Sequence, residues 1–160
     1  MDHSTLLHHF GTKNALLVAV LGWHDEEQYR RWQVGNPGTV PLDLDTEDLI
    51  AGFVETARRN AEAPGLVRLL STLSAEAGHD GHPARTFLQH RHELLTRVLT
   101  RAIDQARGRG VTSDLNAADE AALIIGTWEG LQVYDALHPG QIDVPALLER
   151  TLQAALTPTQ

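Results

Sequence analysis

Apolar residues in this chain recur every three or four positions, in long runs broken by glycine and proline, which is the periodicity of amphipathic helices. The first run opens at Lys13 and continues to about Trp32, with Leu16, Leu17, Val20, Leu21 and His24 on one face. Gly35-Asn36-Pro37-Gly38 ends it and begins a loop to about Asp45. Asp45 or Thr46 caps the next helix, whose buried stripe is Leu49, Ile50, Phe53, Val54 and Ala57, with Glu47 and Asp48 set against its positive end. Pro64 opens a third helix with Leu66, Leu69, Leu70, Leu73 and Ala77 inward, and Gly78 stops it. A fourth starts at Pro83 and runs to about Arg107, where Gly108 and Gly110 end it. Asn116 caps a fifth, reaching about Leu137 before His138-Pro139-Gly140. The last spans about Val144 to Leu156.

No apolar/polar alternation of period two lasts long enough for a strand. The expected fold is all-α, with five long helices and two shorter ones and no internal repeat.

Composition narrows the classes. The 160 residues are 42% hydrophobic and 21% charged, ordinary for a chain that builds its own core. The absence of cysteine removes disulfides, thiolate metal sites and a cysteine nucleophile. No apolar run approaches the ~18–20 residues of a membrane span, and no basic stretch followed by an apolar one stands at the start. These features point to a cytoplasmic protein without a membrane partner. A formal net charge of −8 argues against nucleic-acid binding by the surface as a whole, though not by a small local element.

No nucleophile–base pair, phosphate loop or paired-carboxylate site is visible, so no enzyme is expected. Gly108-Arg109-Gly110 closes a helix rather than opening one. Nine histidines raise the question of metal. His90 and His92 point to different faces of one helix, and no i, i+4 pair of the HExxH type occurs. Only His79, Asp80 and His82 share a loop, and the pattern assigns neither metal nor cofactor.

The most specific signal is the ordered string Ser4-Thr5-Leu6-Leu7-His8-His9-Phe10-Gly11-Thr12-Lys13-Asn14-Ala15-Leu16-Leu17. Its hydroxyl and imidazole groups (Ser4, Thr5, His8, His9) suit base edges and phosphates in a major groove. Lys13 beside a helix N-terminus suits a phosphate. Read by local chemistry alone, Ser4 is equally a helix cap and His8-His9 a solvated pair. The order of the string resembles the end of the helix-turn-helix in the tetracycline-repressor (TetR) family of transcription regulators. There a short recognition helix and a tight turn lead into a long helix with a Leu-Leu pair. Leu7 takes the place of a DNA contact in the family and is a candidate here, but departs from the Tyr usual at that place.

The resemblance implies an all-α regulator, with residues 1–33 as the remnant of the DNA-binding domain and 34–160 as a ligand-binding and dimerisation domain. Two helices precede the recognition helix in the family, whereas here Met1-Asp2-His3 stands directly before it. A helix so short is marginal without its packing partners. Residues up to about Thr12 are therefore expected to fray. Operator DNA is the partner of a full-length form, bound weakly or not at all by this chain.

The resemblance further implies a homodimer paired through the last two helices and a pocket for an unknown small-molecule effector. Ala122, Ile125, Gly126, Gly130 and Val133, with Leu148 and Leu152, are the candidate interface, unless they are ordinary core. For the pocket, Arg91 and His92 interrupt an apolar face that includes Phe87. Either they enter a cavity and suit an anionic or hydrogen-bonding ligand, or Arg91 snorkels outward and His92 is a satisfied rim residue. Trp128 and Tyr134, with Phe53 and Leu70 opposite, are the other candidate walls. The competing reading is a helical pairing module that takes no ligand.

Overall fold

The computed structural model describes residues 12–31 and 45–158, and over them the chain is all-helical, with no strand. Six helices follow one another: α1 (Lys13–Arg31), α2 (Thr46–Glu62), α3 (Pro64–Glu76), α4 (Arg85–Gly108), α5 (Ala117–Leu137) and α6 (Val144–Leu156). No helix among the described residues is long and apolar enough to cross a membrane.

Local chemistry sets most of the boundaries. Asp45 caps α2 by accepting the Glu47 N–H at 2.8 Å, and Asn116 caps α5 through the Asp119 N–H at 2.9 Å. Asp143 caps α6 through the Ala146 N–H at 3.0 Å. Ala63 leaves the helical region because Pro64 follows it, and Pro64 then opens α3 where a missing N–H costs nothing.

One boundary differs from the sequence expectation. Pro83 lies in a turn, and α4 begins at Arg85. The His82 ring accepts the Ala84 N–H on Nδ1 at 3.2 Å, and the His82 carbonyl accepts from Arg85 at 3.0 Å. That turn occupies the groups a helix starting at Pro83 would have used.

Two cores result. The larger joins α2, α4, α5 and α6, with Phe53, Leu99, Ile103, Ala121, Leu148, Leu152 and Leu156 essentially inaccessible to water. Each fully buried side chain of this size contributes about 1.5–3 kcal/mol of transfer free energy. The smaller joins α1, α3 and α4 through Leu21, Leu73, Ala77, Ala84 and Leu88, with Leu17, Val18, Leu70 and Phe87 packed on it. Helix α4 serves both, giving Leu88 to one and Leu95, Val98 and Leu99 to the other. Helix α1 is thus packed into the helices that follow it.

Helix α5 departs from the usual one-sided pattern. Its inner face is Ala121, Ile124, Ile125, Trp128 and Gln132. Its outer face carries Ala122, Leu123, Gly126, Gly130, Val133, Tyr134 and Leu137, all exposed, with Leu123 at 58% and Leu137 at 71%. A helix apolar on both sides ordinarily has something against each.

Candidate ligand-binding site

The seam between the two cores is an apolar cleft of about 690 Å³, its open mouth included. It is narrow, with room for only a few water molecules. Five helices build its walls, each through residues one helical face apart. Helix α1 gives Leu21, His24 and Asp25; α2 gives Phe53, Thr56 and Asn60; α3 gives Leu66, Val67 and Leu70. Helix α4 gives Arg91, Leu95 and Val98, and α5 gives Trp128. Phe53 and Trp128 meet edge to face, with ring centroids 5.7 Å apart.

The charged groups stand together where α1, α4 and α5 converge. Arg91, 11% exposed, donates from Nε to Asp25 Oδ2 at 3.1 Å, and its Nη1 lies 4.0 Å from Glu129 Oε1. The same Glu129 oxygen is 2.8 Å from His92 Nε2. His24 Nδ1 is 3.9 Å from the other Asp25 oxygen. Burial raises the Glu129 pKa, but the His92 hydrogen bond and the charges of His92 and Arg91 outweigh it, so the carboxyl titrates below its ordinary value. Arg91 is therefore a buried cation already met by carboxylates, as its location requires.

Two further polar side chains belong to the walls. The Trp128 indole nitrogen is buried without a hydrogen-bond acceptor, as are Ser74 Oγ and Arg107 Nε outside the cleft. The Asn60 amide belongs to a residue only 6% exposed. A buried donor left unpaired costs about 1–3 kcal/mol, which an acceptor brought by a ligand would recover at Trp128. Beyond Asn60 and Val67 lies a second cleft of about 360 Å³, which those two residues also line, together with Gln132.

Compared with protein-family models, curated proteins and solved structures, the chain matches none. The site is read from its own chemistry.

Of the residues expected to line a pocket, Phe53, Leu70, Arg91 and Trp128 meet in the cleft. The other three lie elsewhere. Phe87 packs in the smaller core, its ring edge 3.7 Å from where a Gly22 Cβ would stand. His92 is turned to Glu129 and partly exposed, one residue round the helix from Arg91. Tyr134 lies on the outer face of α5 against His138, ring centroids 4.7 Å apart. Sequence reasoning missed Asp25, Thr56 and Asn60. The available signal was polar residues continuing an apolar stripe, since Thr56 and Asn60 follow Phe53 at helical spacing.

The candidate interface divides as well. Ala122, Gly126, Gly130 and Val133 face outward, and a Cβ added at either glycine would meet nothing within 4 Å. Ile125, Leu148 and Leu152 are instead in the core of the protomer, the two leucines at 0% exposure. The α6 stripe is apolar because it packs on α2, so the exposed members of the candidate interface are those on α5.

Of the candidate DNA-contacting residues, Ser4, Thr5, Leu7, His8 and His9 lie outside the described residues, as does the segment expected to fray. Lys13 is exposed at the first position of α1. Next to it, the Asn14 amide is 3.3 Å from His82 Nε2, and Glu76 Oε2 is 3.6 Å from the same atom. The start of α1 is thereby tied to the loop between α3 and α4. Asp80 pairs with Arg85 at 3.1 Å, so the residues of this loop turn to different partners. Among the described residues no three His, Asp or Glu gather as metal ligands would.

Proposed function

We propose that this chain is the ligand-sensing and pairing part of a transcription regulator of the tetracycline-repressor type. The observation that carries the reading is the cleft itself, an apolar seam with an unpartnered Trp128 N–H, walled in part by α1. That helix begins where the string resembling a recognition helix ends. A ligand in the cleft touches Leu21, His24 and Asp25 directly. Its differential affinity for two settings of α1 is the free energy available to move the segment before Lys13. In a regulator of this type such a segment belongs to operator recognition.

The outer face of α5 supports pairing. Gly126 and Gly130 stand one turn apart, with Ala122 a turn before and Val133 and Leu137 beyond, a strip low enough for two helices to approach closely. A twofold dimer would set this strip against its own copy. The same face also suits a pairing module without ligand, and the two readings part on whether the cleft is ever filled.

Light scattering at micromolar concentration tests the pairing. The chain should run at twice its 17.6 kDa, and Gly126→Arg should run as a monomer with unchanged helical circular dichroism. A monomeric parent, or a variant that still pairs, contradicts it.

A further inference from the structure

The chemistry of the cleft specifies its occupant more narrowly, on the reading above that the cleft takes a ligand. A lone guanidinium on an apolar wall would call for an anion, as the sequence alone allowed. Here Arg91 is engaged by Asp25 at 3.1 Å, with Glu129 at 4.0 Å. Glu129 is engaged by His92 at 2.8 Å and Asp25 also has His24 at 3.9 Å, so each cationic group at the seam already has a carboxylate beside it and none stands alone for an incoming anion. A carboxylate or phosphate ligand would be desolvated beside Asp25 with no counter-ion of its own.

The wall group shown without a partner is neutral, and so is the nearly buried amide of Asn60. Trp128 is 3% exposed, and its indole N–H, a donor only, lacks an acceptor. Asn60, 6% exposed, offers an amide that both donates and accepts. Phe53, Val67, Leu95 and Val98 are among the apolar side chains of the same walls. The fold gives the Trp128 N–H no acceptor, whereas a ligand oxygen would, with the Asn60 amide on the same walls to meet a second group.

We infer that the cleft binds an uncharged, largely apolar molecule carrying a carbonyl-type oxygen, received by the Trp128 N–H, and a second hydrogen-bonding group that meets Asn60. Anions are disfavoured by the Asp25 carboxylate on the wall.

Three probes with ten-carbon chains, long enough to run from the seam into its open mouth, differ at the head group and test this by calorimetric titration of the full chain: N-methyldecanamide, decanoate and decyltrimethylammonium. The amide should bind at least roughly tenfold more tightly than either ion. Trp128→Phe and Asn60→Leu should each weaken the amide roughly five- to tenfold, while in Asn60→Leu, which keeps the side-chain volume, the melting temperature without ligand stays equal or rises. The last point separates a ligand contact from a structural role, because deleting a structural hydrogen bond lowers it.

Decanoate binding as tightly as the amide overturns the inference and leaves the ligand-sensing reading standing. So does tightest binding by the cation, which would give the choice to the carboxylates. Unchanged amide affinity in both variants also overturns it. If none of the three probes binds, the ligand-sensing reading fails with it.

Discussion

Arg91→Met should destabilise the protein by about 3 kcal/mol, because it strands carboxylates in a largely dry seam. Asp25 is only 16% exposed, and its 3.1 Å bond to Arg91 Nε is what makes its burial tolerable. Met keeps most of the aliphatic length, so the loss reports charge rather than packing. By thermal melting the variant should fall by roughly 6–12 °C, and adding Asp25→Asn should restore more than half, since the stranded charge is then gone. Equal losses in the single and double variants would mean that the pair is incidental.

The acid limb of the stability profile should shift in the same variant. Glu129 has a folded-state pKa below its unfolded one, so its contribution is fully present above the unfolded carboxylate value and is lost as pH falls through the folded one. Arg91 is among the charges that hold that value down. Removing it therefore moves the loss to higher pH.

The second large effect falls on α6. Leu148→Ala should cost about 2–5 kcal/mol, the range for a buried leucine whose site cannot fully collapse. Leu148 has no exposed surface and sits in the core shared by α2, α4, α5 and α6. The resulting drop in melting temperature should be the same at low and high protein concentration, as befits a residue internal to the protomer. A loss that disappears at high concentration would place Leu148 between subunits instead. Leu123→Ala on α5 is the counterpart, changing protomer stability little because Leu123 is 58% exposed.

How much of this was legible in the sequence follows from which signals are local. Caps and breakers act within a few residues, so Asp45, Pro64, Asn116 and Gly140 mark the ends of helices in the sequence as clearly as in the structure. Pro83 misled because a competing local bond, from the Ala84 N–H to the His82 ring, occupies the turn before Arg85.

The site was legible only in part, because facing is a matter of tertiary structure. An apolar stripe says that a face is buried, not against what. Leu148 and Leu152 therefore read equally as interface and as core, and only packing on α2 separates the two. Arg91 and His92 are one residue apart in sequence, yet the first enters the cleft and the second turns to its rim. Asp25 could not be paired with Arg91 from sequence at all, since the two are 66 residues apart. Without that partner, Arg91 looks like a site for an anion. With it, the cleft has no spare positive charge.

Filling the cleft should be felt at the start of α1. Hydrogen–deuterium exchange of the amides from Lys13 to Val18, measured with and without saturating N-methyldecanamide, tests this most directly. These amides precede the cleft residues Leu21, His24 and Asp25, and the Leu16 N–H is bonded to the Thr12 carbonyl at 3.1 Å. Binding should slow their exchange severalfold, because the ligand stabilises one setting of the whole helix. Slowing confined to Leu21–Asp25 and to α2–α5, with Lys13–Val18 exchanging as before, would show a pocket that is not connected to the segment it is proposed to control.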